Sequence, residues 1–310
     1  MKNTLLATVA AITLMAGNAE AAQIKKVEFT SQGERVIGNI YLPDDYKEGT
    51  KLPAVIVTGA WMTVKEQMPA IYAAQMADKG FAALTFDFRG WGESKRVNDA
   101  QNFMESPTEK TQDIVAAAEF LTTRDEVDST QISGLGMCAS AGYMAGAAVQ
   151  SANIQSITLV APWLHDREIV ETVYGGVEGI NKLVEASKSP QIVLAASETD
   201  KTAIMNFAGY YTDPKRGAIK QFDNKFNTAS WPQWLEFDGI QYAAQLKKPV
   251  LLVHSEAAAI PQGAKEFAEK AGVHAKLVML DNVTQFDFYD KPEIVTEAAS
   301  LAVSHFNQKQ

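Results

Sequence analysis

The stretch that most constrains how this chain can fold is 131–142, which reads Q-I-S-G-L-G-M-C-A-S-A-G. Ile132 to Met137 is short, apolar and punctuated by glycine, the pattern of a buried strand. After Ala139 the chain becomes alanine-rich, with Ala141, Ala145, Ala147 and Ala148, which suits a close-packed helix. Gly136-Met137-Cys138-Ala139-Ser140 therefore falls where a strand turns abruptly into a helix. Small residues stand two before and two after Cys138, as a turn needs when it lifts its central residue off a sheet under strain. A second register, Cys138-Ala139-Ser140-Ala141-Gly142, would centre the turn on Ser140 instead, two residues into the helix.

The flanking sequence alternates in the same manner. Segments 25–29 and 35–41 read as a hairpin around Ser31-Gln32-Gly33-Glu34. Buried strands are expected at 53–57, 81–86, 154–160, 249–254 and 275–280, with helices at 66–79, 110–123, 261–271 and 292–306. Strand-helix-strand order with glycine-rich turns predicts a mostly parallel, doubly wound α/β sheet. Between about 163 and 247 the alternation stops, and aromatic residues such as Tyr174, Tyr210, Tyr211, Trp231, Trp234 and Phe237 accumulate. A long insertion there predicts a cap whose aromatics form packing and part of an apolar pocket.

With these landmarks in place, the chain resembles the α/β-hydrolase superfamily, and its cysteine turn resembles the dienelactone-hydrolase-like branch, whose elbow commonly reads G-x-C-x-G-G. Ile132 stands six residues before Cys138, where superfamily elbows carry an aliphatic strand residue. Asp87-Phe88-Arg89-Gly90-Trp91-Gly92-Glu93-Ser94 is similar to the D-x-R-G-x-G-x-S turn of that fold and reads as structural. The resemblance implies Cys138 as nucleophile, with Ser140 as the alternative. The implied oxyanion hole is the amide of Ala60, or less favourably Trp61, paired with that of Ala139. A helix N-terminus behind Cys138 implies an accessible thiol with a lowered pKa.

The rest of a triad does not follow the pattern. Counting back from Pro261, the position of the acid is Ala257, and Glu256 beside it points elsewhere. The histidine position in Thr284-Gln285-Phe286-Asp287-Phe288-Tyr289-Asp290 is held by Gln285, whose amide exchanges no proton near neutral pH. His165, with Asp166 beside it, and His254 are the candidate replacement bases among the four histidines. Two function classes stay open: an enzyme that acts on a small ester, lactone or thioester through Cys138, and a catalytically degenerate protein that binds a small apolar ligand.

The N-terminus begins Met1-Lys2, runs apolar from Leu5 to Gly17 and reaches Ala19-Glu20-Ala21. This predicts a signal peptide over 1–21, cleaved after Ala21, and a periplasmic or secreted domain over 22–310. The apolar run is too short for a membrane span. A net charge of −9 without a basic cluster argues against nucleic-acid partners. No histidine–carboxylate cluster predicts a metal and no phosphate-binding loop predicts a nucleotide, so neither metal nor cofactor is expected. A single cysteine excludes an internal disulfide. Oligomeric state is left open by the sequence.

Overall fold

The computed structural model describes residues 22–206 and 209–308; the expected signal peptide, 1–21, lies outside the described residues. Strands β1 (Gln23–Ser31) and β2 (Glu34–Leu42) form the opening hairpin, paired from Gln23 opposite Leu42 to Ser31 opposite Glu34. Gln32 and Gly33 both take positive φ, 51° and 82°, the backbone hand that a two-residue hairpin turn requires. The chain continues through β3 (Leu52–Thr58), β4 (Ala82–Phe86), β5 (Val127–Met137) and β6 (Ile154–Val160). A small antiparallel pair, β7 (Ile192–Leu194) and β8 (Lys225–Asn227), precedes β9 (Val250–His254) and β10 (Ala275–Met279).

The large sheet has eight strands in the order β1-β2-β4-β3-β5-β6-β9-β10. Only the pairings of β2, with β1 and with β4, are antiparallel. The inner strands β3, β4, β6 and β9 and the second half of β5 (132–137) are almost wholly buried, and Val55, Ile56, Leu84, Leu135, Leu159 and Leu252 are closed to solvent, as strands covered on both faces must be. Strand order reverses around β3: β5 lies on one side of it and β4 on the other. Thr58 is opposite Gly136, so the loops leaving the carboxyl ends of β3 and β5 emerge together, where open α/β sheets form their clefts.

Helices α1 (Met68–Asp78) and α2 (Pro107–Thr122) begin two residues later and three earlier than the sequence pattern predicts. For α1, Gln67 sits at the N-cap and its side chain already accepts from Val64 N–H at 2.9 Å, so Glu66 belongs to a turn. For α2, Ser106 caps the Glu109 amide and Pro107 occupies the first turn, a start signal that the apolar periodicity does not register. Helix α3 (Ser140–Gln150) leaves the turn after β5.

The insertion carries α4 (Arg167–Val173), α5 (Gly176–Ser187), α6 (Gly209–Thr212) and α7 (Trp231–Glu236), together with β7 and β8. It is tied to the sheet side by Gln67 Nε2 on Gly217 O (2.7 Å), by Asn227 Nδ2 on Ala100 O and Asn102 O (3.0 and 3.2 Å), and by Arg216 on Asp290 (2.6 and 2.7 Å). Helices α8 (Pro261–Ala271), α9 (Asp287–Asp290) and α10 (Pro292–Phe306) close the chain. The Asp87–Ser94 turn is a brace, as expected: Asp87 accepts from the Lys65 amide and ammonium and from Glu93 N–H, while Arg89 pairs with buried Asp113 at 2.6 Å. Among the described residues no helix is long and apolar enough to cross a membrane.

Candidate active site

The turn between β5 and α3 is the strained elbow that its small residues suggest. Cys138 has φ 53°, a left-handed conformation unusual for a side chain with a β-carbon. Its N–H donates to Val160 O (3.1 Å), and its carbonyl accepts from Trp163 N–H (2.9 Å) and Ala141 N–H (3.1 Å), so neighbouring strands and loops hold the strain in place. Gly136 is required here by contact: a β-carbon would lie 2.8 Å from Ser140 O and 2.9 Å from Met144 Cβ.

Ser140, the alternative central residue, is part of this brace. Its hydroxyl donates to Met137 O (3.0 Å) and accepts from Met137 N–H (3.1 Å) and Thr58 Oγ1–H (2.9 Å). A hydroxyl has one donor and two lone pairs, so Ser140 has no capacity left for a substrate, and it is buried. Geometry thus sets the two registers apart: Cys138 stands at the apex and Ser140 locks the helix onto the strand.

Three groups act to lower the pKa of the Cys138 thiol: the Tyr289 hydroxyl and the backbone amides of Trp61 and Ala139. Of the two loop amides named from the sequence, Ala60 and Trp61, it is that of Trp61 that acts on the thiol. Residues 60–63 close a turn in which Thr63 donates to Ala60 O through both N–H and Oγ, and Met62 takes φ 62°. That turn fixes the backbone around Trp61. The Trp61 ring meanwhile stacks on Trp234 of the insertion with centroids 5.0 Å apart.

Burial pushes the Cys138 thiol up, against the lowering by Tyr289 and the two amides, and the residue is only 7% exposed. The expectation of an accessible, readily ionised thiol is therefore overturned. Desolvation of the thiolate outweighs the donors and the helix N-terminus.

Gln285 occupies the neighbourhood expected of the missing histidine, but it reaches the sulfur through an intermediary. Its Nε2 donates to Ala161 O (2.9 Å) and to the Tyr289 hydroxyl (3.2 Å), and its Oε1 accepts from Ala259 N–H (3.1 Å). Tyr289 thus stands between Gln285 and Cys138. Burial raises its phenol well above the ordinary tyrosine range, so it stays protonated at neutral pH. Burial likewise raises the Tyr211 phenol of the insertion well above the ordinary range, against a lowering by Tyr289. Ala257 is exposed and Glu256 pairs with Lys265, so neither supplies an orienting acid. None is needed, because Gln285 offers an acceptor to the Ala259 amide where a histidine would have offered a donor.

His165 is not brought into the site as a base. Trp163 Nε1–H donates to its Nδ1 (2.9 Å), which leaves the ring proton on Nε2, facing Trp234 O at 3.2 Å. Both nitrogens are consumed in the insertion, and burial lowers the pKa to about 4. His254 is occupied at one nitrogen only: its Nε2 faces Ala259 O at 3.1 Å, its Nδ1 is buried without a hydrogen-bond partner, and burial lowers its pKa to about 4.

Two residues near the sulfur carry roles the sequence reading did not assign. Tyr289 follows Gln285 by four, one helical turn, and that spacing was the available signal. Glu105 is fully buried; its carboxylate accepts from Lys110 Nζ (2.7 Å), Tyr143 O–H (2.8 Å) and Met62 N–H (3.2 Å). It thereby joins the elbow helix to the loop that carries the Trp61 amide. Nothing local in F-M-E-S-P marks it. Among the described residues no group of three or more His, Cys, Asp or Glu side chains could hold a metal ion.

Comparison with known proteins agrees with this architecture. The model of the Dienelactone hydrolase family matches residues 38–206. The chain is 26% identical over 304 residues to the uncharacterized protein YcjY of Escherichia coli, covering 91% of this chain and 98% of that one. It is similar in structure to the hypothetical protein PA2218 from Pseudomonas aeruginosa, with a TM-score of 0.79 at 20% identity over 96% of this chain and 100% of the other. An acetyl xylan esterase from Paenibacillus shares the fold, with a TM-score of 0.62 at 14% identity over 94% of this chain and 87% of that chain.

Proposed function

The chain belongs to the dienelactone hydrolase family and has the α/β-hydrolase fold, and on that premise we propose that it is an exported enzyme cleaving a small ester, lactone or thioester through Cys138. The observation that carries the reading is the strained elbow that sets Cys138 between β5 and α3 at φ 53°, with the Tyr289 hydroxyl and the Trp61 and Ala139 amides lowering its pKa against burial. Two backbone donors beside a nucleophile can receive the oxygen of an attacked carbonyl, an arrangement that stabilises charge as it develops.

In this reading the sulfur attacks the carbonyl carbon and a C–S bond forms. The carbonyl oxygen takes the electron pair and is held by the two amides. The Tyr289 hydrogen turns from the sulfur to the departing oxygen or sulfur and moves to it as the Tyr289 oxygen takes up the thiol proton, and the bond to the leaving group breaks. Water then hydrolyses the acyl-cysteine and restores the thiol. Gln285 keeps the Tyr289 oxygen in line, donating to it without taking a proton. General-base catalysis supplies a factor of about 10² to 10⁴, so turnover is expected to fall short of a complete triad by about that much. The segment 163–247 serves as the cap, and the apolar stretch at the N-terminus directs export to the periplasm or medium.

Intact-mass analysis after mixing with a small activated ester tests this. The wild type and Ser140→Ala should each gain one acyl group, and Cys138→Ala none. A second reading, a ligand-binding protein without turnover, is favoured by the closure of the sulfur from solvent and its raised pKa. Absence of any acyl adduct on the wild type would select it.

A further inference from the structure

The insertion is fastened to the sheet side unequally along its length. Its 227–234 stretch is anchored by buried groups. Asn227 N–H donates to Phe103 O (2.9 Å), Ser230 Oγ accepts from Glu105 N–H (2.8 Å), and Ser106 Oγ donates to Gln233 Oε1 (2.6 Å). Asn227, Ser230 and Ser106 are all buried.

The 209–218 stretch is held differently. It is folded on itself, with Gly217 N–H donating to Tyr210 O (2.8 Å) and Ala218 N–H to Asp213 O (3.2 Å). Gly217 lies so close to the Tyr210 ring that a β-carbon would come within 2.2 Å of it. A compact loop bonded to itself in this way can move as one piece. Its fastenings to the sheet side are few and polar: Gln67 Nε2 on Gly217 O (2.7 Å), Arg216 on Phe286 O (3.1 Å), and the two-bond pair of Arg216 with Asp290 (2.6 and 2.7 Å). The Arg216 and Asp290 side chains are 32% and 17% exposed, so water reaches this pair as it does not reach the 227–234 anchor.

This stretch lies over the turn that bears Tyr289. The Tyr210 ring meets Tyr289 edge-on at 5.1 Å, and the Tyr211 ring meets Phe286 edge-on at 6.0 Å. Gln285 ties that turn to the elbow, since its Nε2 donates to the Tyr289 hydroxyl and to Ala161 O, one residue after the Val160 carbonyl that accepts from Cys138 N–H. Tyr211, Thr212 and Ala218 also line a cavity of about 380 Å³, shared with Leu194, Ala196 and Asn224 around the β7–β8 pair. Tyr211 is nonetheless only 3% exposed. It is a partition, with the cavity on one side and the aromatic cluster of the Tyr289 turn on the other.

We propose that 209–218 is a gate to the Cys138 site, latched by the Arg216–Asp290 pair, with Tyr211 as the panel between the cavity and the Tyr289 turn. Opening lifts the two tyrosines from Phe286 and Tyr289 and joins the cavity to the elbow. Cys138, 7% exposed in the closed form, is reached by this route whether it is acylated or only lines a ligand site.

Alkylation of Cys138 by iodoacetamide in the folded, full-length protein reads the opening, because a covered thiol reacts in proportion to the population of the open form. Arg216→Gln and Asp290→Asn each break the latch, and each should raise the rate by about tenfold, the worth of a charge-assisted pair. The two variants remove opposite charges, so an effect on the thiol's ionisation alone would move their rates in opposite directions. Tyr211→Ala should also react at least about tenfold faster and gain nothing further from Asp290→Asn, since the latch then has no panel to hold. The wild-type rate should be nearly independent of urea well below the unfolding midpoint, because a local opening exposes little surface. Opposite shifts in the two latch variants, no shift in either, or a wild-type rate that climbs with the slope of global unfolding overturns the proposal. A Tyr211→Ala rate no higher than that of the wild type also overturns it; should that variant not fold, the two latch variants decide.

Discussion

Replacing Gln285 with histidine tests how the site has been rewired, because the surrounding hydrogen bonds dictate which way the new ring must face. In the native site Ala259 N–H donates to Gln285 Oε1 at 3.1 Å, and Gln285 Nε2 donates to Ala161 O at 2.9 Å. An imidazole in the same place must accept from the Ala259 amide through Nδ1, so its proton lies on Nε2 and points to Ala161 O or Tyr289. A general base needs the reverse tautomer, with Nδ1–H given to an acid and a lone pair on Nε2 turned to the nucleophile. In serine proteases the wrong tautomer costs about 10⁴ in rate, about 5.5 kcal/mol of barrier. That cancels the factor of about 10² to 10⁴ a general base supplies. Gln285→His alone should therefore change kcat/KM on a small activated ester by less than about tenfold. Adding Ala257→Asp places a carboxylate acceptor on the loop after β9 that carries Ala259 and should raise kcat/KM by about 10² over the single variant. Steady-state hydrolysis by wild type, single and double variants decides it. A gain of about 10² from Gln285→His alone, or no further gain from Ala257→Asp, refutes the tautomer argument.

Further expectations concern ionisation, acid stability and packing. Alkylation of Cys138 should show an apparent pKa above the free-cysteine value of about 8.5, and Tyr289→Phe should raise it by about one to two units more, the worth of a hydrogen bond to a charged group; a lower pKa in the variant would contradict the assigned donor. His165 and His254 are held neutral with pKa values of about 4, below their ordinary value of 6.5, so the folded state binds fewer protons than the unfolded chain between those limits. Stability should be fully present above about pH 6.5 and fall as pH drops toward 4, by up to about 3 kcal/mol per histidine; urea midpoints unchanged between pH 7 and about 4.5 would contradict it. Gly263→Ala should lower stability by about 1 to 3 kcal/mol, because its β-carbon would stand 1.9 Å from Leu164 O; a thermal midpoint unmoved by this substitution would show that α8 shifts freely. The exported protein should begin at Ala22 by intact mass, and any other N-terminus counts against the cleavage assigned after Ala21.

The sheet and the elbow were legible in the sequence because both rest on local pattern. Ile132 to Met137 and the alanines after Ser140 announce a strand and a close-packed helix, and Gly136 leaves the space in which they meet. The Asp87–Ser94 brace was legible for the same reason. The site was legible at its apex and not around it. Whether the amide of Ala60 or that of Trp61 acts on the thiol depends on the left-handed backbone at Met62, which Glu105 supports from more than forty residues away in sequence. His165 looked available beside Asp166, yet Trp163 and the Trp234 carbonyl, one near and one distant in sequence, claim both its nitrogens. The thiol's ionisation was misjudged because a helix N-terminus can be read from local pattern, whereas desolvation depends on what the insertion covers.

Trp61 belongs to two structures at once. Its amide acts on the thiol on the sheet side, while its indole is stacked on Trp234 and in contact with Phe226 and Trp231 of the insertion. Proteins open in parts, and an inserted segment can detach at a lower free energy than the sheet beneath it. When this one does, Trp61 loses the stacking that fixes its peptide, and the site is dismantled while the eight-stranded core is still folded. Inactivation by mild heat or denaturant should thus precede the main unfolding transition. The change in tryptophan emission should accompany the first event and far-ultraviolet dichroism the second.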